Sequence, residues 1–173
     1  MVWQASYSTF NATTTNPSSN WSTGTVALSD DDSNSAMFSV TNMKPGATGS
    51  KCIAVTSTGT MPSAVKLYGT GATTTNALSS SITLVVTQGT GGSFGSCTGF
   101  TPLGTGSSVF NGTLASFAST ATSFSNGLGS WTPTGSASET RVFQFSYTFD
   151  VNAPNSTQNG TASIGFTWED QNT

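Results

Sequence analysis

The chain contains no histidine in 173 residues. That removes the commonest general base, the usual base of a nucleophilic triad and the commonest metal ligand. Charge is also scarce: 6% of residues are Asp, Glu, Lys or Arg, against about 25% in an ordinary soluble domain. The basic residues are Lys44, Lys51, Lys66 and Arg141, and the net charge is −3. Neutralising a phosphate backbone takes a basic patch, so a nucleic-acid partner is excluded. An anionic membrane surface is excluded for the same reason. No apolar run approaches the roughly 18 residues of a spanning helix, so membrane insertion is not expected. Met1 leads directly into Val2 and Trp3 with no leader-like apolar stretch, which reads as a mature form with a start Met or a trimmed end.

Cysteine is limited to Cys52 and Cys97. An even pair in a Ser/Thr-rich chain points to a disulfide and an oxidising compartment, the alternative being two buried thiols. Closing the loop between them is worth about 4 kcal/mol in the chain-entropy model. Two cysteines without histidine cannot complete a structural zinc site.

What is present is strand-like. Apolar residues make up 34% of the chain, with 11 Phe and 4 Trp, more than a disordered chain carries. Alternation of period two recurs at Val26/Leu28, Ala36/Phe38/Val40, Ile53/Val55, Val65/Leu67 and Ile82/Leu84/Val86. It is longest at Phe143, Phe145, Tyr147, Phe149 and Val151, and at Ala162, Ile164, Phe166 and Trp168. Turn residues separate these runs at 29–34, 44–50, 69–76, 89–96 and 152–160. Many short strands at such spacing predict an all-β, jelly-roll-like β-sandwich. One stretch differs: Leu114, Phe117 and Ala118 fall at helical spacing after Thr113, predicting one short helix with Thr113 as its cap. The Gly/Ser-rich stretch 89–108 reads as a long loop tethered by Cys97.

Few residues offer chemistry. The carboxylates are Asp30, Asp31, Asp32, Glu139, Asp150, Glu169 and Asp170. Asp150 and Glu169 fall on the polar faces of their strands, so they read as solvated side chains and no enzyme is expected. Asp30 and Asp32 are the candidate oxygen ligands for a Ca²⁺ ion, although the run lacks EF-hand spacing. It reads more simply as a polar turn. Trp21 and Trp131 lie in polar loops, where exposed indoles would form a sugar-binding platform. That gives the alternative reading, a monomeric cell-surface adhesin or carbohydrate-binding module.

The N-terminus is the odd segment. Trp3, Ala5, Tyr7 and Thr9 share one face of a strand-like run ending at Phe10. A loose Thr/Asn/Pro/Ser stretch, 13–20, follows. An apolar terminal strand on a tether can pair with its own sheet or with a neighbour's. Residues 1–20 are therefore read as a donor-type strand and tether, and 21–173 as the sandwich.

Several motifs in order resemble the TasA/camelysin-type exported proteins. Trp3–Phe10 is similar to that family's opening strand, and Trp21–Leu28 to its aromatic-Ser-x-Gly-Thr-Val strand. Met43-Lys44-Pro45-Gly46 resembles its Pro-Gly turn, and Lys51–Gly59 the strand after it. Cys52 with Ser96–Phe100 is similar to a disulfide-containing branch from high-GC Gram-positive bacteria. The ending Phe166–Glu169 with Gln171-Asn172 also fits. The resemblance implies a secreted, cell-surface jelly roll that polymerises with copies of itself into biofilm-matrix fibres. Trp3, Ala5, Tyr7, Thr9 and Phe10 of one subunit would complete the sheet of the next. A matrix polysaccharide or an accessory matrix protein would be the further partner. The metallopeptidase activity described for camelysins is not carried over, because there is no histidine ligand and no HExxH.

Overall fold

The computed structural model describes residues 24–33, 35–40 and 42–173. The segment 1–20 and Trp21, on which the donor-strand expectation and one of the sugar-platform residues fall, lie outside them. Among the described residues, nine strands and one α-helix follow in the order β1 (Leu28–Asp30), β2 (Thr48–Ser57), β3 (Ser63–Thr74), β4 (Ile82–Thr90), β5 (Thr101–Pro102), β6 (Ser108–Thr113), α1 (Leu114–Thr120), β7 (Leu128–Trp131), β8 (Glu139–Phe149) and β9 (Ala162–Asn172). They form two antiparallel sheets. The larger has the order β1-β2-β8-β4, with β5 and β6 both on the far edge of β4; the smaller has the order β7-β3-β9. The chain crosses between the sheets from β2 to β3 and back to β4, then again at β7, β8 and β9. This is the expected jelly-roll-like sandwich.

The alternating runs explain the pairing. In β8, Phe143, Phe145 and Phe149 are buried on one face. β8 runs against β2 from Thr48↔Thr148 to Ser57↔Glu139, and against β4 from Ile82↔Phe149 to Gly89↔Val142. The core gathers Ile53 and Val55, Leu84 and Val86, and Phe143 and Phe145 from the large sheet. Val65, Leu67 and Trp131 meet them from the small one. Aromatic rings join the two layers. Phe145 lies 4.5 Å from Phe166, and Phe143 lies 5.3 Å from Trp168, between ring centroids. Such pairs contribute roughly 0.5–1.5 kcal/mol beyond area burial.

The helix forms where expected. Thr113 is extended, and its side chain accepts a hydrogen bond from Ser116 N at 3.1 Å. Phe117 and Ala121 are fully buried, and the Ala121 carbonyl accepts from Gly69 N. The helix thus carries one large ring into the core as the chain passes from β6 to β7.

Four expectations are corrected. Ala36–Val40 alternates like a strand but forms none; Met37 and Phe38 pack on the core without a pairing partner for their backbone. The strand expected over Thr25–Leu28 lies later, at Leu28–Asp30, although Ala27 and Thr25 carbonyls still accept from Thr58 and Thr60. The turn expected at 69–76 is instead continuous strand through Thr74. Gly71, at φ +59°, absorbs an irregularity between Thr70 and Thr73 that residues with a Cβ adopt poorly. Val151, read as the last inward residue of its run, lies past the end of β8 and is 67% exposed.

Candidate functional site

The small sheet leaves one long edge open. β9 pairs with β3 from Ser63↔Asn172 to Thr74↔Ala162. Among the described residues, no strand pairs with its other edge. Its inward residues Ile164, Phe166 and Trp168 are only half-buried. They form one wall of a groove of about 1310 Å³. Ile53, Leu84, Tyr147 and Phe149 of the large sheet make its floor, and Met37, Phe38 and Met43 its opposite wall. Gly49 is the register partner of Tyr147. The ring lies so close over Gly49 that a Cβ there would collide with it. Phe38 meets Tyr147 edge-on, with ring centroids 5.2 Å apart.

An exposed strand edge presents unpaired N–H and C=O groups that another strand can satisfy. Proteins usually blunt such edges by shortness, charge or cover. β9 is 11 residues long, and its charges, Glu169 and Asp170, lie toward its end. The first half of its open edge, beside Ile164 and Phe166, carries neither Lys nor Pro.

The disulfide joins Cys52 to Cys97. It fastens the 91–100 loop to β2. Asp31 reinforces the attachment: its carboxylate accepts from Ala54 N at 2.9 Å and from Phe94 N at 2.7 Å. The stretch read as a long loop is therefore pinned at two points. The middle residue of the acidic run ties loop to strand. Asp30 accepts weakly from Asp32 N at 3.4 Å, and partial burial pushes its carboxyl above the usual range. Among the described residues, no three His, Cys, Asp or Glu side chains gather as around a metal ion.

The remaining carboxylates each serve a local bond. Glu169 accepts from Gln171 Nε2 at 2.7 Å and Tyr68 Oη at 2.8 Å, which lower its pKa. The same bond holds the Tyr68 proton and raises the tyrosine pKa. Glu139 accepts from the N–H and hydroxyl of Thr134, at 2.6 and 2.8 Å; the backbone bond is the larger cause of its depressed pKa. Trp131, read as a loop indole that would form a sugar platform if exposed and otherwise pack at the core edge, is the last residue of β7 and only 4% exposed. Its ring face is not available for stacking on a sugar.

Sequence reasoning found Ile164, Phe166 and Trp168 as a strand face but not as a groove wall. The signal was present in their spacing, yet the missing neighbour was not. Among the described residues, no helix is long and apolar enough to cross a membrane. Set against known proteins, the chain matches no family model and no curated protein.

Proposed function

We propose that this protein is an extracellular structural subunit that polymerises by strand donation. Trp3–Phe10 of one copy adds to the open edge of β9 in the next. The observation that carries this reading is the open edge of β9, with an apolar groove beneath it. An eight-residue donor spans about 26 Å at ~3.3 Å per residue, shorter than the 11 residues of β9. Backbone hydrogen bonds supply affinity, and alternate side chains fill the groove. Trp3, Ala5, Tyr7 and Thr9 offer that alternation. Each copy both donates and accepts, so the contact is head-to-tail and does not close, and filaments result. Few surface charges oppose the stacking of like subunits. The disulfide fits an oxidising compartment and hence secretion to the cell surface. The likeness in motif order to the TasA/camelysin-type proteins supports the same reading.

Electron microscopy of the purified protein tests it. Filaments are expected from the full chain, with folded monomers after deletion of residues 1–12. Filaments of unchanged appearance after that deletion would overturn the proposal.

A further inference from the structure

Among the described residues, six buried side-chain atoms lack a hydrogen-bond partner: Ser63 Oγ, Gln88 Oε1, Trp131 Nε1, Arg141 Nε, Trp168 Nε1 and Asp170 Oδ1. The register gathers them toward one end of the inter-sheet space. Val65 is the partner of both Trp131 and Asp170, and Ser63 lies two residues along β3. Gln88 faces Phe143, whose ring packs on Trp168. Native interiors leave few such groups, and a concentration of them marks a place where something else completes the bonding.

Three of the six, Gln88, Trp131 and Arg141, line a cavity of about 440 Å³ together with Thr105, Ser130 and Thr132. It lies within the range of about 300–1,000 Å³ typical of small-molecule pockets. It shares no lining residue with the groove beside β9. Gln88 is 2% exposed. Its Nε2 donates to the Gly106 carbonyl at 2.6 Å, which fixes the amide orientation and leaves Oε1 as an acceptor without a donor. Arg141 is the chain's sole arginine. It shares the inward face of β8 with Phe143 and Phe145, and its guanidinium carbon sits 6.0 Å from the Trp131 ring centroid. Its Nε has no hydrogen-bond partner, and its charge acts on the nearby Glu139 carboxylate. The nearby Glu139 carboxylate is held by Thr134. The Trp131 N–H is turned toward Glu139, so Gln88 and Arg141 are the two groups that define a ligand.

We propose that this pocket binds a small hydroxycarboxylate, the pairing of groups that a uronic-acid sugar presents. A guanidinium fork matches a carboxylate in plane and spacing. With one cation and the Glu139 carboxylate beside it, the pocket suits a single negative charge better than a phosphate. Gln88 Oε1 can only accept, so the ligand brings a donor, which a hydroxyl beside the carboxylate supplies. With its ring face covered, Trp131 forms a wall of the pocket and not a stacking platform. This inference is independent of strand donation.

Calorimetry and NMR titration of the full chain with glucuronate, lactate, glucose and acetate test it. Saturable binding of glucuronate is expected, with glucose and acetate at least tenfold weaker because each lacks one of the two groups. Lactate as strong as glucuronate identifies a free hydroxy acid as the source; glucuronate alone identifies a sugar acid. Arg141→Gln weakens binding more than tenfold, and Arg141→Lys, which keeps the charge and loses the fork, falls between. The ligand series on the unaltered chain decides the matter if either variant fails to fold. No saturable binding of either hydroxycarboxylate, or glucose bound as well as glucuronate, would overturn the proposal.

Discussion

The two sheets are built from similar residues and end differently. In the large sheet, β2 lies between β1 and β8, β8 between β2 and β4, and β4 between β8 and the pair β5 and β6. β8 and β4 are paired along both edges, while β1 covers only Val55–Ser57 of β2. In the small sheet the long strand β9 has one neighbour among the described residues. The inward faces are alike, Phe143-Phe145-Tyr147 in one and Ile164-Phe166-Trp168 in the other. Composition therefore does not decide where a partner can add; the count of satisfied backbone edges does. A strand paired along both edges is a scaffold, and a strand with one open edge over an apolar groove can accept another.

Substitutions can break this contrast, beginning with the largest effect. Phe145 belongs to the scaffold but touches Phe166 of the open strand, and it is fully buried. Phe145→Ala is expected to cost roughly 3–5 kcal/mol in urea unfolding and to loosen both sheets in a single transition. Separate transitions would show that the sheets are independent. Replacing Cys52 and Cys97 by Ala opens a loop that contains β3 and frees the 91–100 loop from β2, with an expected cost of roughly 2–4 kcal/mol by the same measurement. Filament formation should persist in that variant at temperatures where it remains folded. Thr113→Ala removes the helix cap and should cost about 1 kcal/mol.

The smallest effect is on acid stability. The folded pKa of Glu139 is depressed, mainly by the Thr134 N–H. Its contribution is present above the ordinary carboxylate pKa and is lost as pH falls through the depressed value. Between about pH 6 and pH 3 the urea midpoint should fall further for the unaltered chain than for Glu139→Gln.

Much of the scaffold was legible because period-two faces were long. Phe143–Phe149 and Ala162–Trp168 gave β8 and β9, and Thr113 with Leu114, Phe117 and Ala118 gave the helix. Ala36–Val40 misled because alternation reports a face to be buried and says nothing of a backbone partner. Trp131 gave no strand signal because a four-residue strand is too short to show a period among Gly and Ser. The groove and the Arg141 pocket were not legible as sites. Each is assembled from strands distant in sequence, and its character depends on which edges and polar atoms are left unpaired.

The open edge itself is tested most directly by amide hydrogen exchange on the chain lacking residues 1–12, with a synthetic peptide of residues 1–12 added. Strand donation predicts that amides of β9 between Ala162 and Asp170 slow at least tenfold on peptide binding, as expected when an exposed edge gains bonded partners, while those of β2 and β8 barely change. Unchanged exchange along β9 at saturating peptide would contradict the account.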